Sequence, residues 1–339
     1  MAITPLWKAG AESGSLKEFT SVSGGISISS TQAYTGTSSF KFPTNDQGVK
    51  GAASIPDTNQ ARSGWGIIPR TGGYSYAEIL RVYNSTSSTP IFALRAHLSG
   101  ANFSINVNGS LVASMPHEGL GAWHHWGIDC KIDGTDGWIY FYIDGLLKMS
   151  FVGNTGTKPM QSFSWGTSPA PYFYKGDCFM DDLYIDATPN EAAPLPPPVK
   201  RYPYYKGIAD VIKTFTPSTG VDHYVLLDET PVSATDYVST LAAGSVNTFT
   251  VSPTAALPAG FETAAVWPVA YAFKDNSEVD SRLTFRVSDG VSDDDGASIA
   301  LPTTQGNITE RFALQPDGSN WNNADVLTTN YGFVSSGDF

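Results

Sequence analysis

Hydrophobic and polar residues alternate with a period of two through much of the first half of the chain, the pattern of half-buried β-strands rather than helices. Residues 77–83, 91–98, 103–107 and 110–113 each read this way. Asn108-Gly109 lies between the last two; both positions tolerate positive φ, so a two-residue hairpin is predicted. A meander follows. It has a strand over 123–132, a turn at Asp133-Gly134-Thr135-Asp136-Gly137, a strand over 138–143, the tight turn Asp144-Gly145 and a strand over 146–151. Trp126, Ile128, Cys130 and Ile132 share one face of the first of these, so they should be buried and the odd-numbered positions largely exposed. Residues 25–42 read as two strands around Thr35-Gly36, and 177–186 as a closing strand.

Punctuation then changes. Pro189 and Pro194-Leu195-Pro196-Pro197-Pro198 fix φ and remove donors, which predicts an extended, helix-free connector. Beyond it, residues 222–229, 248–251, 262–273, 282–287 and 308–314 read as strands, with Pro268 placing the long one at an edge or bulge. Residues 321–326 read as a single helical turn capped by Asn320. The fold class expected is all-β: two antiparallel, jelly-roll-like β-sandwich domains over residues 1–187 and 201–339, joined by a Pro-rich linker over 188–200. No repeat of fixed period is present.

Composition sharpens this picture. Charged residues are 15% of the chain, below the roughly 25% of an ordinary soluble domain. The net charge of −12 is unevenly shared: residues 1–187 carry 12 Lys+Arg and 14 Asp+Glu, and residues 188–339 carry 8 and 18. No basic stripe exists, which argues against nucleic acid and anionic membrane as partners. No apolar run is long enough for a membrane span. Residues 1–7 lack the cationic and apolar regions of a secretory leader, so none is expected. A virion, released by lysis, reconciles that with an extracellular-looking composition.

The bracketing strands 25–42 and 177–186, with Trp123-His124-His125-Trp126, an aromatic strand and Ile143-Asp144-Gly145-Leu146, resemble the concanavalin A-like (laminin-G-like) sandwich over residues 10–187. That resemblance implies first and last strands lying close together, and a fold that hosts many ligands. Asp222-His223-Tyr224, Leu227-Asp228-Glu229-Thr230-Pro231 and the terminal Trp321-Asn322-Asn323-Ala324-Asp325-Val326 and Tyr331-Gly332-Phe333-Val334 resemble tailed-bacteriophage virion structural proteins. The resemblance implies a non-enzymatic virion component, first a capsid-decorating or head-attached protein, with a tail-fibre or tail-tip protein binding host polysaccharide as the alternative. It also implies virion proteins as partners and a homo-oligomer, with a trimer as the first expectation.

Candidate chemistry is sparse. A glucanase needs two carboxylates flanking the scissile bond; the first domain has four glutamates, Glu12, Glu18, Glu78 and Glu118, and none forms an E-x-D-x-E pattern. Glu278-Val279-Asp280 approaches that spacing in a loop. No enzyme is therefore expected. The aromatic, Pro/Gly-rich stretch from Trp165 to Tyr174 is the candidate glycan-stacking loop, through Trp165, Tyr172 and Tyr174; Trp65, Trp138 and Phe173 are further aromatic candidates. Trp7 and the arm Tyr202, Tyr204 and Tyr205 are candidate subunit contacts. No cofactor is expected except calcium, whose candidate ligands are Asp289, Asp293 and Asp295; their spacing departs from a calcium loop, and a solvated acidic hairpin is the favoured reading. Cys130 and Cys178 either pack in the core or pair as a disulfide. His124 and His125 point to opposite faces of their strand and do not share a metal.

Overall fold

The computed structural model describes residues 4–43, 49–69, 76–84, 89–97, 101–118, 120–166, 177–189, 191–201, 205–227, 235–253, 260–275, 277 and 279–337. The chain is all-β and divides into two compact units after residue 202. Among the described residues, no helix is long and apolar enough to cross a membrane.

Among the described residues the first unit has fifteen strands: β1 (Thr4–Ala9), β2 (Ser21–Ser23), β3 (Ser27–Ser29), β4 (Ser39–Phe42), β5 (Lys50–Thr58), β6 (Gln60–Ile68), β7 (Tyr76–Tyr83), β8 (Phe92–His97), β9 (Asn102–Val107), β10 (Ser110–Pro116), β11 (His124–Lys131), β12 (Gly137–Ile143), β13 (Leu146–Gly153), β14 (Met160–Gly166) and β15 (Cys178–Ala187). They form two antiparallel sheets. One is eight-stranded, in the order β13-β12-β11-β6-β15-β4-β3 with β1 added on β15. The other is seven-stranded, β10-β9-β8-β7-β14-β5-β2. The expected hairpins form: Asn108 and Gly109 both have positive φ, as do Asp144 and Gly145. First and last strands pair, Thr4 opposite Ala187.

The inward side chains of both sheets make one core, in which Trp65, Trp126, Trp165, Phe40, Phe103, Phe141 and Phe163 are fully buried. The Trp126 ring meets Phe103 and Phe141 edge-on at 4.9 and 5.1 Å, the geometry aromatic quadrupoles favour. Cutting Trp126 back to Ala would cost about 3–5 kcal/mol. Cys130 packs in this core and its Sγ lies 3.5 Å from Met160 Sδ; neither cysteine is disulfide-bonded.

The odd-numbered positions of β11 depart from expectation. Gly127 and Asp129 are buried although they face away from the core. The cover is the chain's own Pro-rich segment. Residues 191–201 have neither helix nor strand, as the prolines require, but they lie as a strap across the outer face of the eight-stranded sheet. Glu191 N donates to Gln60 Oε1 at 3.0 Å, and Gln60 Nε2 donates back to Glu191 O at 3.1 Å. Leu195 N donates to Asp129 Oδ2 at 2.8 Å, and Tyr184 Oη donates to Pro198 O. Pro197 sits so close to Gly127 that a Cβ there would meet it at 2.9 Å. Lys200 Nζ binds Asp186 at 2.6 Å, while Arg201 bonds Asp182 at 3.3 Å and lies 3.8 Å above the Tyr34 ring.

The second unit has β16 (Tyr205–Lys213), β17 (Thr216–Pro217), β18 (Val238–Ser239), β19 (Val246–Pro253), β20 (Val269–Ala272), β21 (Ser281–Ser288), β22 (Asp293–Asp295), β23 (Ile299–Ala300), β24 (Gly306–Thr309) and β25 (Asn330–Gly337). Its main antiparallel sheet runs β16-β19-β25-β21-β22 with β23 on β21. Over it pack Phe312, Trp321 and Val326, with Trp321 Nε1 donating to Phe312 O at 3.0 Å. Several expected elements are corrected here. Residues 224–226 form a 3-10 turn rather than a strand, and the long strand expected over 262–273 shrinks to β20 plus one bridge from Val266 to Phe312. A helix forms as α1 (Asn323–Thr328), but its cap is Asn322, whose Oδ1 accepts from Ala324 N and Asp325 N at 2.9 and 3.1 Å.

Candidate functional site

The aromatic residues singled out in the sequence that lie among the described residues do not assemble a site. Trp165 is 0% exposed. It is the penultimate residue of β14, paired with Gly51 and Leu80, and its ring stacks on Trp7 at 5.1 Å. A fully buried ring offers no face to a sugar, so the loop placement of Trp165 is corrected. Trp65 and Trp138 are buried too. Trp7 is not on a free arm: it lies in β1, packs against the core and donates Nε1 to Glu18 O at 3.0 Å. Tyr205 opens β16 and packs on the second core. Tyr172, Phe173, Tyr174, Tyr202, Tyr204 and Glu278 lie outside the described residues.

The acidic loop does not gather into a calcium site either. Asp293 and Asp295 lie in β22 and both bind the Arg286 guanidinium, at 3.0 and 2.6 Å. Asp289 Oδ1 accepts from Val291 N and Ser292 N, so it shapes the turn. Among the described residues, no group of three His, Cys, Asp or Glu side chains could hold a metal ion. The two histidines do part as expected: His124 Nδ1 meets Asp144 Oδ2 at 2.6 Å, while His125 is buried and desolvation holds its pKa down to about 4.

What the structure does bring together is a polar row on the outer face of the seven-stranded sheet. Pairing across β14, β7, β8 and β9 sets its geometry. Ser164, Arg81, Ala93 and Asn106 form one cross-strand line, and Glu78, Arg95 and Ser104 the next. A bulge between Glu78 and Leu80 turns both Glu78 and Arg81, three residues apart, to this face. Ala93 is the small residue between Arg81 and Asn106, opposite both.

Glu78, 3% exposed, is the floor of the network. Arg81 Nε and Nη2 both engage Glu78 Oε2, while Arg95 reaches Glu78 Oε1 through Nε at 2.8 Å and Nη2 at 2.7 Å. One buried carboxylate thus aligns two guanidiniums. Arg81 Nη1 also donates to Tyr83 Oη at 3.0 Å. With its amide turned to suit its neighbours, Asn106 accepts from Arg95 Nη1 and Leu111 N, both at 3.2 Å, and donates to Ser104 Oγ at 3.1 Å. Ser104 is then left to donate to His97 Nε2, 2.7 Å away. That requires a neutral imidazole, and burial, with Arg95 nearby, lowers the His97 pKa as the arrangement needs. The side chains of Arg81 and Arg95 remain 21% and 20% exposed. Glu78 and Ser104 are therefore buried, while Arg81, Arg95 and His97 stay partly exposed. Arg81 and Arg95 are held in fixed orientations by the buried Glu78 carboxylate, an arrangement of aligned donors.

On the eight-stranded sheet the strap covers the outward polar groups. The sequence signal was present but faint: Arg95-x-His97 and Ser104-x-Asn106 each place two polar groups on one face of neighbouring strands.

No family model matches the chain, and no curated protein does. Solved structures similar to it include a Trypanosoma rangeli sialidase in complex with a difluoro sugar acid (12% identity over 47% of this chain, TM-score 0.33). The chain spans 26% of that sialidase. A carbohydrate-binding module from Bacillus subtilis is 11% identical over 50% of this chain and 95% of the module, with a TM-score of 0.33. The ligand-binding domain of botulinum neurotoxin serotype D, solved with N-acetylneuraminic acid, is 12% identical over 85% of this chain and 74% of that one, with a TM-score of 0.36. These are likenesses of β-rich architecture alone.

Proposed function

We propose that the chain is a non-catalytic carbohydrate-binding protein whose first unit meets its glycan on the outer face of the seven-stranded sheet. The observation that carries this is the pre-aligned network of Arg81, Tyr83, Arg95, His97 and Asn106 on the buried floor of Glu78 and Ser104. A saccharide needs several fixed donors and acceptors spread over one sugar ring, and rigid strands supply them at small entropic cost. The binding role is favoured over turnover because both oxygens of Glu78 are engaged by guanidiniums. The other acid in the strands of this sheet, Asp57, is tied to Gln161 Nε2 at 2.5 Å.

The setting we propose for this module remains a tailed-phage particle in which the chain binds other virion proteins as a homo-oligomer. Three exposed aliphatic residues on the outermost strand β16, Ile208, Val211 and Ile212, favour association through the second unit. Light scattering of the purified chain tests the oligomer, and a monomer at micromolar concentration argues against it. Glycan-array binding followed by calorimetry tests the main proposal. The parent chain should bind at least one glycan class, and Asn106→Ala should weaken that binding at least tenfold while the fold is retained. Binding to no glycan at millimolar concentration, or binding untouched by the Asn106 change, would overturn it.

A further inference from the structure

The β9–β10 hairpin holds the one Asn-Gly step in the sequence, Asn108-Gly109. Both residues are exposed, and both adopt positive φ, 48° and 84°. The ladder resumes at the Val107–Ser110 pair, so the Gly109 N–H lies outside it. Nothing stands within 4 Å of the position a Cβ on Gly109 would take. No side chain therefore shields that nitrogen or stiffens its backbone. Strand β10 ends the seven-stranded sheet, paired with β9, and none of its residues is buried. A hairpin at such an edge opens locally at small free-energy cost.

We infer that Asn108 is a site of spontaneous covalent modification, converted through a cyclic imide to aspartate and isoaspartate. The Gly109 nitrogen attacks the side-chain carbonyl carbon of Asn108. A C–N bond forms and closes a five-membered ring, the bond to the amide nitrogen breaks, and the Gly109 proton leaves with that nitrogen as ammonia. Water then adds to either carbonyl of the imide and reopens it. Addition at the side-chain carbonyl gives an ordinary aspartyl link; addition at the main-chain carbonyl gives one that runs through the side chain. The reaction needs no ligand, metal or oxidant. Asn154 is the internal contrast. It is exposed too, but its follower Thr155 is β-branched and buried, and the Thr155 N–H is committed to Asp133 O at 3.0 Å. The isoaspartyl link inserts a methylene into the main chain of a two-residue turn, whose length sets the register of the strands it joins. That register is what brings Leu111 N to Asn106, at 3.2 Å. The product also carries a carboxylate where the chain had a neutral amide.

Ageing the purified full chain in mildly alkaline buffer at physiological temperature, followed by proteolysis and tandem mass spectrometry, tests this. Amide loss should be several-fold faster at Asn108 than at Asn154. Both acids should appear at position 108, and an isoaspartate-specific methyltransferase should label the peptide that contains it. Gly109→Ala crowds the attacking nitrogen and should slow the loss several-fold, with far-ultraviolet circular dichroism and melting confirming the fold. In the aged chain, amide hydrogen exchange over residues 110–116 should quicken relative to the fresh chain. Loss at Asn108 no faster than at Asn154 would overturn the assignment. Aspartate as the sole product, or a folded Gly109→Ala chain that ages as the parent does, would overturn the imide route. Exchange over 110–116 that matches the fresh chain once isoaspartate has accumulated would overturn the change of register.

Discussion

Replacing Asp129 with Ala should unseat the strap and destabilise the first unit by several kcal/mol. Asp129, 1% exposed, is a hub. Its Oδ1 accepts from Trp138 Nε1 at 3.1 Å, and its Oδ2 accepts from Arg62 Nε at 3.1 Å and Leu195 N at 2.8 Å. Burial pushes its carboxyl above the ordinary range, against those three hydrogen bonds that pull it down. The pair with Arg62 therefore adds little net stability while intact. Removing one half is a different matter. Arg62, whose side chain is 5% exposed, would be left with Glu191 alone. Breaking a buried pair in this way costs about 3–5 kcal/mol. For a unit of this size that is a fall in melting temperature of roughly 6–20 °C. Thermal melting followed by near-ultraviolet circular dichroism, with limited proteolysis of the 191–201 segment, reads both effects. Arg62→Met combined with Asp129→Asn removes the stranded cation and keeps an acceptor, so the loss should shrink to about 1–2 kcal/mol. An Asp129→Ala protein that melts within about 2 °C of the parent, with the strap still protected, would refute the reasoning.

Three further outcomes follow from the geometry. His125 has a folded pKa of about 4, below its ordinary unfolded value, so its contribution is complete above about pH 6.5 and is lost as pH falls through 4. Between pH 7 and pH 4.5 the parent should lose about 2–3 kcal/mol more than His125→Leu by urea unfolding; equal losses would contradict this. Gly332→Ala would drive a Cβ to 1.8 Å from Asn247 O in the centre of the second unit's sheet; in calorimetry the transition of that unit should fall or vanish while the first unit's is unchanged. Asn322→Ala removes the cap of α1 and should cost the second unit about 1 kcal/mol, measured as a shift in its denaturant midpoint without loss of fold.

The parts legible in the sequence are those decided locally. Asn108-Gly109 and Asp144-Gly145 adopt the positive φ their turns require, and the alternation of Trp126, Ile128 and Cys130 matches their burial. Strand β6 was illegible because its polar residues look outward-facing. Gln60 and Arg62 are buried nonetheless, by a strap that arrives about 130 residues later, and Ser63 is buried because it faces the core beside Ile128 and Ile185. Gly64 and Gly66 in the same strand are the gaps over which Tyr184 and Tyr34 lie. Trp165 was misplaced because its neighbours in sequence are loop-forming while its partners in space, Gly51, Leu80 and Trp7, are remote. The acidic cluster forms the solvated hairpin that the sequence favours, but its cation does not show in the local pattern: Arg286, which binds Asp293 and Asp295, sits across that hairpin. The Arg81–Asn106 network depends on registers between four strands and on one bulge, and local pattern does not encode either.

The strap also changes where this protein can be cut or joined. The prolines invite a module boundary just after β15, yet a fragment ended at residue 187 would bare Arg62, Asp129 and Gly127 to water and strip Asp182 and Asp186 of their cations. Such a piece would be sticky and weakly folded. A graft that carries residues through Arg201 takes its own lid with it. The portable unit of this fold is therefore the sandwich together with its tail, and a new fusion partner belongs beyond Arg201.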